Sequence, residues 1–254
     1  MKIILLTAGG NTATYMYNGI NPSYHISSVV VEERFSRVKF IKKRIKRLGL
    51  IKVIGQLLFQ GIVPRLLGRL SSQRIQEIMS LNNLDATPIP EQKKHKVSSV
   101  NAQECLDYLT AEKPDFIIVN GTRIISKKTL QRLDAVVVNT HLGITPRYRG
   151  VHGAYWALVN DDEENCGVSV HLVDAGIDTG GVLYQSKITP MAKDNFVTYP
   201  YLQIAEGILL MKKALSDFSK AKLSEVQPRT SDSNLWHHPT LWYYLKMRIL
   251  KQIK

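Results

Sequence analysis

The chain has 254 residues, enough for one large domain or for one domain with an appendage. An apolar fraction of 44% supplies a sizeable core, and the two cysteines, Cys105 and Cys166, are spaced too widely for a disulfide framework or a zinc site. The net charge of +13 points to anionic partners such as nucleic acid, acidic lipid or phosphorylated substrates. The apolar run at residues 1–10 is too short for a signal peptide and no run approaches membrane-spanning length, so a cytoplasmic protein is expected.

In chain order, the pattern predicts a buried strand over 2–7, a helix opened by Gly9, Gly10, Asn11 and Thr12, and a second strand over 27–31. Apolar residues at Phe40, Ile41, Ile45 and Leu48, then at Ile51, Ile54, Leu57 and Leu58, give 35–70 a helical period, with breaks expected at Gly49, Gly61 and Pro64. Another helix is expected over 72–81, followed by a surface connection over 85–96 marked by Pro88 and Pro90. Beyond it come a helix over 102–110, a strand over 116–120, a short helix over 127–133 and a strand over 135–139. A helix starting at 153, strands over 168–173 and 182–188, and an amphipathic helix over 199–215 complete the series. Alternating strands and helices imply an α/β fold with a mostly parallel twisted sheet flanked by helices. The main domain is expected over 1–220, with 221–254 as a short, largely helical extension packed on it. Ligands of such sheets bind beyond the carboxyl ends of the strands, where Gly9, Gly10, Gly121 and Asn139 all fall.

The strand over 135–139 delivers Asn139-Thr140-His141. Residues i and i+2 of an extended chain share a face, so Asn139 and His141 can converge on one small volume. A carboxylate arriving from Asp178 could orient and charge the imidazole, with Asp174 the alternative one turn earlier and His171 beside the site. An amide donor, an imidazole and a carboxylate suit acyl transfer to an amine, where an oxyanion needs a donor and an ammonium must lose a proton. Gly9, Gly10, Asn11 and Thr12 form a strand-to-helix junction of the kind that binds phosphate through backbone amides. Arg147, Tyr148 and Arg149 could clamp a pyrophosphate and stack on a base or sugar, with His152 close behind.

The ordered series Asn139/His141, Pro146/Gly150, Ser169-Val170-His171 and Asp178-Thr179-Gly180-Gly181 resembles the folate-dependent formyltransferase family, over roughly residues 1–190 and most densely between 115 and 185. The sequence departs from the family pattern at Gly143, where a Ser is usual. The resemblance implies a Rossmann-like fold and transfer of a formyl group from N10-formyltetrahydrofolate, without a metal, to a primary amine. Asn139 would donate to the oxyanion, His141 would act as the acid and Asp178 as its carboxylate. It also implies a pterin slot between Arg123, acting through its main chain, with Ile124 and Ile125 on one wall, and Asp174, Ala175 and Gly176 on the other.

The acceptor follows by elimination among family members. Methionyl-tRNA formyltransferases carry a large C-terminal domain, and the purine enzyme lacks a long basic segment. A nucleotide-linked amino sugar, of GDP-perosamine or dTDP-4-amino-6-deoxyhexose type, is therefore expected, which would place the enzyme in surface-polysaccharide or O-antigen assembly. Glycinamide ribonucleotide or another small amine is one alternative acceptor. A formyltetrahydrofolate hydrolase and a non-enzymatic basic nucleic-acid-binding protein are the others, although no specific nucleic acid is expected. The basic stretch over 34–47 is read either as a solvated helix face or as a peripheral contact with an anionic membrane surface. A homodimer is compatible with the sequence.

Overall fold

Ile3–Thr7 and Phe116–Asn120 are buried at every position. Such strands need cover on both faces, which helices on either side of a parallel sheet provide. The computed structural model describes residues 1–33, 37–228 and 232–254, and has that architecture. Its strands are β1 (Ile3–Thr7), β2 (Ile26–Glu32), β3 (Lys94–Val97), β4 (Phe116–Asn120), β5 (Val136–His141), β6 (Arg149–Gly150), β7 (Gly167–Leu172), β8 (Val182–Lys187) and β9 (Leu235–Trp236). Its helices are α1 (Asn11–Ile20), α2 (Arg37–Leu48), α3 (Leu50–Leu70), α4 (Ser72–Leu81), α5 (Gln103–Glu112), α6 (Lys127–Leu130), α7 (Gly153–Val159), α8 (Tyr199–Ser219) and α9 (Leu241–Leu250). The main sheet runs β3-β2-β1-β4-β5-β7-β8, parallel from β3 to β5 and antiparallel in its last two pairs.

The period of two sorts each strand between two cores. Ile3, Leu5, Phe116 and Ile118 face α1 and α8 through Met16, Ile20, Met211 and Leu215. Ile4, Leu6, Ile117 and Val119 face the other way, toward Cys105 and Leu109 of α5. A third, aromatic cluster joins α3, α7 and α9: Phe59 meets Phe196 at 4.8 Å and Tyr244 at 5.2 Å, with Tyr155 against Phe196 at 5.2 Å. A buried bidentate pair, Arg74 Nε and Nη2 on Asp194 Oδ1 and Oδ2 at 2.8 and 2.9 Å, fastens α4 to the loop before α8.

Three local expectations need correction. The 85–96 connection ends in β3, a short polar edge strand on β2 whose Lys-His-Lys-Val sequence lacks an apolar stripe. Gly49 does separate α2 from α3, but α3 runs unbroken through Gly61 and Pro64, because Phe59, Val63 and Leu67 are buried on both sides of the proline. That helix is also long and apolar enough to cross a membrane by length and composition, contrary to the expectation that no run is. Of the basic stretch, Arg34, Phe35 and Ser36 lie outside the described residues.

Candidate active site

The site is built where β5 meets β7. These strands are antiparallel, with Asn139 opposite His171 and His141 opposite Ser169. After β7 the chain turns on Asp174, whose Oδ1 accepts the Gly176 N–H at 3.0 Å and the Thr179 hydroxyl at 2.7 Å. The turn carries Asp178, in the left-handed region at φ 51°, back over β5. Asp178 Oδ1 lies 3.3 Å from Asn139 Nδ2, and its Oδ2 lies 3.4 Å from His141 Nδ1. Side chains 39 residues apart thus meet at one strand end.

The partners assign the protons. Asn139 Nδ2 also sits 3.1 Å from His171 Nε2, and His171 Nδ1 donates to the Leu172 carbonyl at 2.6 Å. His171 Nε2 is therefore an acceptor, and Asn139 presents N–H groups to both neighbours. His141 Nε2 donates to the Tyr148 carbonyl at 2.7 Å. Burial alone would raise the Asp178 carboxyl. The adjacent His141 and His171 rings and the Gly150 N–H, 3.0 Å from Oδ2, outweigh it and hold the group down to about 2. Burial holds His141 below its ordinary value, against the opposing pull of Asp178 and the Tyr148 carbonyl. At neutral pH the site is thus a carboxylate beside a neutral imidazole. Once protonated, the ring has an acceptor facing each nitrogen, so it can take up a proton and hold it between Nδ1 and Asp178.

Gly143 explains the departure from the family pattern. A β-carbon there would lie 2.8 Å from His141 Nε2, 2.5 Å from the Tyr148 carbonyl oxygen and 3.2 Å from Gly153 Cα. A side chain at this position would compete with the bond that fixes the imidazole. The same loop is pinned by buried Ser169, whose Oγ accepts the Thr145 N–H at 3.0 Å and a Gln185 Nε2–H at 3.2 Å. Gly143→Ala is therefore expected to leave a folded protein with turnover reduced by up to about 10²-fold, since shifts of order 1 Å in a reacting group carry penalties of that size. Steady-state rates beside a thermal melt check this, and unchanged turnover would remove Gly143 from the set of positioning residues.

The extension completes the site from the far end of the chain. β6 pairs with β9 in a small second sheet, with Arg149 N–H on the Asn234 carbonyl at 3.1 Å and Val151 N–H on the Trp236 carbonyl at 3.2 Å. Trp236 Nε1 donates to the Arg147 carbonyl at 3.0 Å. Gly150, at φ 95°, allows this approach: a β-carbon there would lie 2.3 Å from the Trp236 carbonyl oxygen. The segment that holds the Asp178 carboxylate is thus itself held by Trp236. Sequence reading missed this clamp because a two-residue strand carries no periodicity.

The remaining candidates divide. Gly9 and Gly10 take positive φ, and the Ala8 N–H reaches the Gly121 carbonyl at 3.3 Å, so two strand-end loops meet on the same rim. Asn11 and Thr12 open α1 without a side-chain cap. Ile124 is exposed, as is the 174–176 turn. Ile125, by contrast, is a core residue in the cluster with Val137, and cannot wall an open slot. Arg123 is not free through its main chain: its N–H donates to Glu32 Oε1 at 2.6 Å and its guanidinium pairs with the same buried carboxylate. Glu32, which no sequence argument singled out, thereby organises the β2 and β4 ends.

Arg147 pairs with Asp162 at 2.9 Å and with Asp232 at 3.5 Å, so the expected twin-arginine clamp does not form. Tyr148 is 1% exposed, bonds Asp162 through its hydroxyl and stacks on Trp236, so it cannot stack on a base. Arg149 stays at the site, with Nη1 on the Ile177 carbonyl at 3.0 Å. His152 turns inward to His238, with 2.8 Å between ring nitrogens. A cavity of about 260 Å³ opens beside Asp178, lined by Thr145, Pro146, Gly180, Glu225 and Pro228 among others.

Residues 75–205 match the formyl transferase family, and the chain belongs to that family. A methionyl-tRNA formyltransferase of Finegoldia magna is 36% identical over 126 residues, covering 48% of this chain and 39% of the relative. A GDP-perosamine N-formyltransferase of Brucella melitensis is 29% identical over 119 residues, covering 46% of each. The chain thus spans less than half the length of these relatives. The fold of a 4-N formyltransferase from Francisella tularensis superposes with a TM-score of 0.54 at 16% identity, over 93% of this chain and 77% of that one.

Proposed function

We propose that the protein transfers a formyl group from N10-formyltetrahydrofolate to the primary amine of a nucleotide-linked amino sugar, of the GDP-perosamine or dTDP-4-amino-6-deoxyhexose type. The observation that carries the reaction is the meeting of Asn139, His141 and Asp178 within 3.4 Å at the end of β5. The bound donor supplies an activated formyl carbon. Exposed Ile124 and the 174–176 turn offer an apolar face and a backbone edge suited to its flat ring.

Both amide protons of Asn139 are engaged at rest, so one must swing from His171 or Asp178 to the formyl oxygen as negative charge develops there. The acceptor nitrogen forms its bond to the formyl carbon and becomes positively charged. His141, neutral at rest, takes that proton directly or through a water. The ring is then an imidazolium stabilised by Asp178, and it returns the proton to the folate nitrogen as the carbon–nitrogen bond breaks. Of the acid and base roles that the sequence left open to His141, its lowered pKa favours proton acceptor first and donor second.

The GDP-perosamine enzyme among the relatives supports the acceptor, together with Arg149 and the uncapped N-terminus of α1 as places for phosphate charge. A second acceptor has its own support: the 36% identity to a methionyl-tRNA formyltransferase favours an aminoacyl-tRNA. The deciding experiment offers formyl-folate with GDP- and dTDP-amino sugars, methionyl-tRNA and glycinamide ribonucleotide in parallel, read as the mass gain of one formyl group. Gain on an amino sugar alone is expected. Gain on the tRNA or on glycinamide ribonucleotide would overturn the acceptor but keep the chemistry, and formate release without any acceptor would make the protein a hydrolase.

A further inference from the structure

The distribution of charge along the chain is unusual. Residues 34–76 and 233–254 together hold 16 of the 34 lysines and arginines and none of the 21 acidic residues, so the rest of the chain is slightly acidic. The first of these segments contains α2 and α3, the second contains α9, and α3 packs against α9.

These same helices expose apolar side chains. On α3, Leu50, Ile51, Ile54, Leu58, Ile62 and Leu66 are all exposed, and Ile51 retains 76% of its surface. Their spacing places them on one side of the helix. On α9, Trp242, Leu245 and Ile249 form a second exposed stripe at i, i+3 and i+7. The two stripes join at Gly55, where a β-carbon would lie 2.2 Å from the Trp242 ring, so the indole lies directly on the α3 backbone. Apolar surface on this scale marks a site of association.

We infer that the α3–α9 face is a membrane-docking surface that inserts its aliphatic ridge and Trp242 into the headgroup region of an anionic bilayer. The helix does not span: Phe59, Val63 and Leu67 are buried in the protein, and the Gln56 side chain donates to the His238 carbonyl at 2.7 Å. A helix fixed along the surface, apolar outward and flanked by cations, has the composition of an interfacial element. Lys42, Lys46 and Arg47 on α2, Arg65 and Arg69 on α3, and Lys246 and Arg248 on α9 are exposed around the ridge, where long basic side chains reach headgroup phosphates while apolar neighbours insert. The charge argues against a second copy of the chain, because two such faces would bring their cationic borders together. The aliphatic ridge argues against nucleic acid, which is held by phosphate contacts and aromatic stacking and offers nothing to six aliphatic side chains. The inference does not depend on which amine the site formylates.

The test is flotation of the full chain with phosphatidylcholine vesicles, with and without phosphatidylglycerol, across a salt series, alongside quenching of tryptophan fluorescence by lipids brominated in their acyl chains. Binding to the anionic vesicles, only partly reversed by salt, with quenching that disappears in Trp242→Phe, is expected. The triple variant Ile54→Gln, Leu58→Gln, Ile62→Gln changes exposed positions only, and should bind at least tenfold more weakly with an unchanged thermal melt. Lys42→Gln, Lys46→Gln, Arg47→Gln should lose the preference for anionic lipid. Failure of the wild-type chain to bind anionic vesicles at low salt would overturn the inference. So would binding that the triple variant leaves intact, which would be purely electrostatic. Salt-sensitive RNA binding without vesicle binding would assign the face to nucleic acid, and self-association abolished by the triple variant without vesicle binding would assign it to a second copy.

Discussion

His141→Asn is expected to lower turnover by about 10²–10⁴-fold, the range typical for loss of a proton-transfer group, while the protein stays folded. The shorter Asn side chain does not reach the Tyr148 carbonyl that Nε2 holds, but the loop after β5 keeps its other anchor, the Thr145 N–H on Ser169 Oγ. What is lost is the titratable ring, whose Nδ1 lies 3.4 Å from Asp178 and which an amide cannot replace as a proton carrier. The effect should fall on kcat with KM nearly unchanged. Asn139→Ala should be comparably severe if the proposed oxyanion donor is lost with it. Asp178→Asn is a cleaner probe than Asp178→Ala, because a retained oxygen can still accept the Gly150 N–H. Double variants should lose little beyond the worse single one, because the three residues act as a unit. Steady-state kinetics with a circular-dichroism melt of each variant decide the matter, and a His141→Asn protein with near-normal kcat would refute the assigned roles.

The parts legible in the sequence are those whose signal is local. β1 and β4 are short apolar runs closed by Thr7 and Asn120, and their length and turn-forming flanks are those of a strand covered on both faces. Asn139 and His141 could be placed together because the period of two in a strand is geometric, whereas Asp178 was singled out over Asp174 by the family resemblance alone. β3 was invisible because an edge strand needs no apolar stripe. Pro64 misled because propensity speaks for an isolated helix, whereas α3 is held by Phe59, Val63 and Leu67. Arg147, Tyr148 and His152 closely follow the strand end that carries Asn139 and His141, and in sequence they look like substrate residues. Their partners, Asp162, Trp236 and His238, are tertiary contacts that spacing does not reveal. The same is true of Trp236 on Gly150, where residues 86 apart form a pair that steadies the carboxylate of the site.

Acid is expected to destabilise the protein well above the pH at which carboxylates titrate, through the His152–His238 pair. Burial pushes His152 well below its ordinary value, with His238 adding to the effect. Burial, with Arg44 and His237 nearby, takes His238 from 6.5 to about 4. The pair has room for little more than its shared proton: the His152 ring packs against Phe196 with 4.2 Å between centroids, and the His238 carbonyl is occupied by Gln56. In the unfolded chain both rings titrate near about 6.5. Below that pH the unfolded state binds more protons than the folded one, so stability is fully present above about 6.5 and declines as pH falls toward the folded-state value near 4. At about 1.4 kcal/mol per unit, His238 alone accounts for a loss on the order of 3 kcal/mol across that window. His141, also depressed by burial, acts in the same direction. Urea unfolding between pH 7 and pH 4 measures the slope. His238→Gln, which cannot gain a charge, should be less stable at pH 7 because its fit to His152 is lost, but should show a clearly shallower decline toward acid. A wild-type profile flat between pH 7 and pH 5, or a His238→Gln profile as steep as wild type, would show that the pair does not govern acid stability.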